Sequence, residues 1–182
     1  MRTSILTAAL AAIAASVPGC GGGSRGVTES TGPMLTPAQA AAERCRRGET
    51  MRAGGDLAGA RAEFEQALEA DPQWPEALLG RGRVRQASSD VDGAIADLDA
   101  ALRAAGGVLL RCARPGPSGV YADRDRALAM SRLLVDIHVL RGLLRESKGD
   151  AAGAREDIDE ARTIDARQAE ESLARERQGG KP

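Results

Sequence analysis

The sequence predicts an all-α protein, and three observations predict it. Alanine, arginine and glycine dominate the 182 residues, and alanine, leucine, glutamate and arginine are good helix formers. Phe64, Trp74 and Tyr121 are the only aromatic residues, far fewer than a β-sandwich or barrel uses. A short motif also comes round three times: "GDLAGARAEFEQALEADP" (55–72), "SSDVDGAIADLDAALRAAG" (88–106) and "KGDAAGAREDIDEARTIDA" (148–166). Acids and bases are interspersed and the formal net charge is −1, which argues against a nucleic-acid binder. The 23 arginines against two lysines read as a base-composition effect without functional weight.

The N-terminus stands apart from the rest. "MRTSILTAALAAIAASVPGC" has one charge, Arg2, then a 13-residue apolar run, Ile5–Val17, then small residues leading to Cys20. This is the three-part plan of a secretory signal peptide, 1–19. The run falls short of the roughly 20 apolar residues that a membrane-spanning helix needs. "VPGC" resembles the lipobox of bacterial lipoproteins, with Val17 and Gly19 at the matching positions and Pro18 departing from the usual small or β-branched residue. That resemblance implies lipidation of Cys20 and a cell-envelope protein, with Gly21 favouring the outer membrane facing the periplasm. If the lipobox is unused, plain secretion is implied. Residues 20–37 are rich in Gly, Ser, Thr and Pro and read as a flexible tether. Thr36 and Pro37 then supply an N-cap and a first helical residue.

From there the chain is periodic. "RG" recurs at Arg47-Gly48, Arg81-Gly82 and Arg141-Gly142. After each comes a turn (Gly55-Asp56, Ser89-Asp90, Gly149-Asp150), an alanine (Ala60, Ala94, Ala154), a large apolar residue (Phe64, Leu98, Ile158) and a second alanine (Ala67, Ala101, Ala161). The first two copies lie 34 residues apart; the third follows after 60, which is 34 plus a 26-residue insertion. The pattern resembles the tetratricopeptide repeat, a helix–turn–helix unit of about 34 residues. The resemblance implies a short α-solenoid of three such repeats. The first copy also carries the family's final proline at Pro72; the second and third have Gly106 and Ala166 instead. The family's usual tyrosine is replaced by Met51, Arg85 and Arg145. The glycines Gly48, Gly82 and Gly142 are expected to let paired helices approach closely. Residues 38–108 then hold repeats 1 and 2, 109–124 form an insertion loop, and 125–178 hold a long helix, repeat 3 and a polar capping helix. In that cap Ala166, Ala169 and Leu173 make a thin apolar stripe. About three stacked units with a polar cap are the practical minimum for such an array.

The insertion reads "LLRCARPGPSGVYADR", whose "RPGPSG" can be neither helix nor central strand. A helical pattern resumes from Asp125 through Leu128, Leu133, Leu134, Ile137, Leu140 and Leu144. In an oxidising compartment Cys45 and Cys112 are free to pair, bringing the insertion loop across the concave side. The alternative is two separate small hydrophobes buried in helix packing. His138, the only histidine, reads as a packing residue, and acid pairs such as Asp97 and Asp99 read as solvated helix faces.

No catalytic residues, metal ligands or cofactor motif stand out: there is no CxxC, HxxxH or phosphate loop. A non-catalytic role is the expectation, with no small-molecule substrate and no cofactor. By the resemblance, a concave groove binds a protein partner through the first helix of each repeat. Its lining would be Ala42, Cys45, Glu49 and Arg52, then Glu76, Leu79, Arg83 and Gln86, then Asp136, Val139, Leu143 and Glu146. Leu79, Val139 and Leu143 would form an apolar strip. The implied function is a lipid-anchored scaffold or assembly factor in the cell envelope. The alternative is an envelope redox sensor or enzyme-accessory subunit using Cys45 and Cys112.

Overall fold

The computed structural model describes residues 35–112 and 123–179. Among these residues there are six helices and no strand. They are α1 (Pro37–Ala53), α2 (Leu57–Ala70), α3 (Pro75–Ala87), α4 (Val91–Cys112), α5 (Arg124–Ser147) and α6 (Ala151–Gly179). The signal peptide, Cys20 and almost all of the tether lie outside the described residues, as does the "RPGPSG" of the insertion.

Helix α1 begins where Thr36 and Pro37 predict. Thr36 Oγ1 accepts from the Gln39 N–H and Gln39 Oε1 accepts from the Thr36 N–H, a reciprocal capping box that satisfies two otherwise orphaned donors. The three intra-repeat turns share one local design. Asp56, Asp90 and Asp150 each accept from the backbone N–H three residues on, at Gly59, Gly93 and Gly153, all at 2.9 Å. The residue just before each aspartate is left-handed: Gly55 at φ +84°, Ser89 at φ +63° and Gly149 at φ +82°. Glycine takes that conformation freely, whereas the Ser89 side chain is strained by it.

Each turn closes an antiparallel hairpin, α1–α2, α3–α4 and α5–α6, and consecutive hairpins stack so that α3 packs on both helices of the first pair and α5 on α4. Three buried clusters run down the stack. Ala41, Cys45, Ala60, Phe64, Ala67, Ala77 and Val84 join α1, α2 and α3. Leu78, Leu79, Leu98, Met130, Leu134, Ile137, Leu140 and Leu144, among others, join α3, α4 and α5. Val135, Val139, Ala161, Ala169 and Leu173 join α5 to both halves of α6. The fold is a three-hairpin α-solenoid of tetratricopeptide type. The first two hairpins complete their cores against the hairpin that follows, and the third against the C-terminal half of α6.

The repeat glycines do not behave alike. A Cβ on Gly48 would lie 2.8 Å from the Phe64 ring, and one on Gly142 would lie 3.1 Å from Ile158 and 3.2 Å from the Ala154 carbonyl. Gly82 has ordinary room, with nothing nearer than 3.5 Å, so close approach does not require glycine there. The tightest interhelical position is Gly80, where a Cβ would meet Phe64 at 2.4 Å.

One boundary departs from expectation. Helix α4 continues through 109–112, which the sequence reading gives to the insertion loop. Gly106 and Gly107 do not end it, because Ala105, Val108 and Leu109 pack with the first turns of α5, including Met130 and Leu133. Leu110 on this extension and Leu128 near the start of α5 stay exposed, so Leu128 lies off the buried face that its helical spacing suggests. Helix α6 is two helices joined at Asp165, whose φ −157° and ψ 103° are not helical and whose side chain caps the second by accepting from the Gln168 N–H at 2.9 Å. In that second half Ala169 and Leu173 are buried and Ala166 is exposed, so the stripe is one residue shorter than expected.

Candidate functional site

The arginines placed where the repeat usually has tyrosine are structural. In the second hairpin Arg81 Nε and Nη2 donate to Asp97 Oδ2 and Oδ1 at 2.9 and 2.6 Å. Arg85 Nη1 lies 3.0 Å from the same carboxylate and donates to the Gly93 carbonyl at 2.9 Å. In the third hairpin the arrangement recurs 60 residues on: Arg141 Nε lies 3.1 Å from each Asp157 oxygen, and Arg145 Nη1 donates to Asp157 at 2.9 Å. His138 Nδ1 adds a further contact to Asp157 at 3.3 Å; because a carboxylate only accepts, Nδ1 carries the proton. Asp97 and Asp157 are 4% and 1% exposed. Burial alone would raise the Asp157 carboxyl, but the hydrogen bonds from His138 and Arg141 and the charges of Arg141 and Arg145 outweigh it and hold the group below the ordinary carboxylate range. Arg141 also donates to Asp99 on α4 at 2.5 Å, which ties the third hairpin to the second. Asp97 and Asp99 are therefore clips within and between hairpins, not solvated faces. His138 is half-buried beside the Asp157 clip, a polar contact rather than apolar packing alone.

The first hairpin lacks the full clip, because Met51 stands in place of the second arginine. Glu63 pairs instead with the half-exposed Arg44 at 3.2 Å, and Arg47 turns to Glu43. Phe64, wholly buried against Gly48 and Gly80, fills that hairpin.

The expected groove residues divide into three groups. Leu79 and Val139 are core residues, 3% and 0% exposed, and Leu143 is only partly exposed, so there is no open apolar strip. Leu79 is taken up by the α3–α4–α5 cluster, and Val139 is covered by Ala169 and Leu173 of the C-terminal half of α6. Glu76, Arg83 and Asp136 are engaged internally. Glu76 accepts from Arg126 at 2.7 Å, and the Arg126 guanidinium lies 5.3 Å from the Trp74 ring centroid, a latch between α3 and α5. Arg83 lies 3.4 Å from Glu176, and Asp136 accepts from Ser172 Oγ at 2.8 Å. Ala42, Glu49, Arg52, Gln86 and Glu146 remain at least partly exposed, with Glu49 and Arg52 paired along α1 at 2.9 Å.

Cys45 and Cys112 are both free. Their environments differ: Cys45 is buried in the first hairpin cluster, while Cys112 ends α4, which packs into the next cluster. No bridge joins them in this structure. Burial, reinforced by the Glu76 and Glu49 carboxylates, pushes the Cys45 thiol up to about 12. A thiol so protonated is a poor nucleophile at neutral pH. Among the described residues no three His, Cys, Asp or Glu side chains gather to hold a metal ion.

No family model matches the sequence. No curated protein matches it either. Two crystal structures of MamA align with it: one over 74% of this chain and 79% of its own at 20% identity and a TM-score of 0.34, the other over 72% and 83% at 21% and 0.31.

Proposed function

We propose that this chain is a non-catalytic scaffold that binds a protein partner on the concave face of its helical stack, tethered to the cell envelope through Cys20. The observation that carries the scaffold reading is the stack itself. Three hairpins are fixed by buried apolar clusters and by the Asp97 and Asp157 clips, leaving a row of mixed polar side chains (Glu49, Arg52, Gln86, Glu146) on the first helices. Rigid solenoids present extended surfaces of this kind to partners. The anchor rests on "VPGC" and the apolar run before it. Among the described residues no helix is long and apolar enough to cross a membrane.

Crosslinking in native envelopes followed by purification and mass spectrometry tests the scaffold reading. A partner captured by the natural chain and lost from Arg52→Glu and Glu146→Arg variants supports it; partners indifferent to both refute it. Both positions are at least partly exposed, so the substitutions leave the buried clusters intact. Fatty-acid labelling tests the anchor: Cys20→Ala is expected to lose label and membrane retention, and a variant that keeps both overturns it.

A further inference from the structure

The C-terminal helix after Asp165 does more than end the stack. Its residues Ala169, Ser172, Leu173 and Glu176 fall at i, i+3, i+4 and i+7, one face of a helix. All four lie against helix faces that carry positions the repeat resemblance assigns to the groove, Val139, Asp136 and Arg83. Ala169 and Leu173 close over Val135 and Val139. Ser172, 0% exposed, donates to Asp136, and Glu176 reaches Arg83 on the preceding hairpin, 93 residues away. Gln168 Nε2 adds a hydrogen bond to the Arg132 carbonyl at 2.8 Å. A helix thus already sits where a partner would sit, and its contacts are those of a helix-in-groove ligand.

The seat is a light one. This helix buries one leucine, one alanine and a serine, whereas α5 buries Met130, Leu134, Val135, Ile137, Val139, Leu140 and Leu144. It joins the body of the protein through a single non-helical residue, Asp165. Elements with few buried apolar contacts are the ones that open locally below the global unfolding free energy.

We infer that residues 166–179 form an intramolecular strap occupying the partner groove, and that the partner is an amphipathic helix of another protein presenting a small residue, a hydroxyl, an aliphatic residue and a carboxylate at i, i+3, i+4 and i+7. This rests on the concave face being the binding surface. Binding displaces the strap, and Asp136 and Arg83 exchange Ser172 and Glu176 for equivalent groups of the partner.

The test uses the full chain and a labelled synthetic peptide of residues 165–179 as the probe. The Leu173→Asp variant weakens the strap through its apolar contact, and Glu176→Arg weakens it through its ion pair while leaving the apolar contact alone. If the strap competes and is open a tenth of the time or less, each variant binds the peptide about tenfold more tightly than the natural chain. Adding Arg83→Glu to Leu173→Asp is expected to remove that gain. Hydrogen exchange on the natural chain is expected to show 166–179 exchanging faster than 151–164. Equal peptide binding by all chains, no binding by a variant that retains its helical circular dichroism, or equal protection of the two segments overturns the proposal. If Leu173→Asp loses its helical signal, Glu176→Arg decides. A failed peptide test alongside an envelope partner still lost from Glu146→Arg would sink the strap and spare the scaffold reading. Peptide binding without such a partner would do the reverse.

Discussion

Removing the carboxylate charge of Asp157 should be among the most damaging conservative changes in the protein. Asp157 is 1% exposed and receives Arg141, Arg145 and His138. Asp157→Asn keeps the shape but leaves two arginines facing an amide that offers one acceptor oxygen instead of two. Breaking a buried ion pair by removing one partner costs roughly 3–5 kcal/mol, chiefly because the remaining charge stays buried. The lower end applies here, since Arg141 retains Asp99 at 2.5 Å and Arg145 retains the Gly153 carbonyl at 3.5 Å. The expected loss is about 3 kcal/mol, which for a chain of this size lowers Tm by about 6–12 °C. Glu63→Gln is the control. It occupies the corresponding place in the first hairpin, but its partner Arg44 is 38% exposed, so its loss should stay under about 1 kcal/mol. Urea unfolding followed by circular dichroism measures both. If Asp157→Asn costs no more than Glu63→Gln, the clip is not holding the third hairpin and the reasoning fails.

Acid should narrow the gap between the natural chain and Asp157→Asn. The folded carboxyl lies below its unfolded value of about 3.9, so its contribution is fully present above that value and is lost as the pH falls through the folded one. Urea midpoints at neutral pH and below pH 4 check this; a constant gap contradicts it. Gly80→Ala should destabilise by about 1–3 kcal/mol, because its Cβ would press on the fully buried Phe64 ring. Gly106→Ala, with open space around it in the middle of α4, should gain about 0.5–1 kcal/mol, and equal effects in thermal unfolding would contradict both. Ser89→Gly should relieve the left-handed strain at φ +63° and stabilise by about 1 kcal/mol, measured the same way; no gain means the turn does not hold that strain. Cys45, with its thiol pushed up to about 12, should stay silent to a thiol reagent at pH 8 until the chain unfolds, while the less buried Cys112 reacts first. Equal rates in the folded protein would contradict that order.

Local chemistry made the hairpins legible. The Thr36 cap, the three glycine- or serine-aspartate turns and the spaced alanines each state a local requirement, and all three repeats agree on it. Whether a helical face is covered by something distant in sequence is not stated locally. Val139 has the spacing of a groove residue, and nothing near it announces that Leu173 will cover it. Gly106-Gly107 looks like a helix end until the opening turns of α5 pack against that segment. The clips were readable and missed. Arg81, Arg85 and Asp97 recur as Arg141, Arg145 and Asp157 at the same 60-residue offset that aligns the repeats. An arginine pair spaced by one turn and followed at a fixed interval by an aspartate is a stronger signal than either residue type alone.

The clips also explain how a chain with so few aromatic residues builds tetratricopeptide hairpins. The first hairpin is filled by one ring, Phe64, and needs Gly48 and Gly80 to admit it. The second and third have Leu98 and Ile158 at that place, which leave more of the interior to arginine stems lying beside a buried aspartate. The stems cover apolar surface while their heads satisfy the carboxylate. Buried ion pairs of this kind contribute little net stability against well-packed apolar substitutes, but they tolerate few alternative partners. Asp157 accepts from α5 and belongs to α6, and Arg141 of the same network reaches Asp99 on α4. The network therefore fixes the register of three helices at once, at the point where the insertion interrupts the repeat and sequence continuity no longer fixes it.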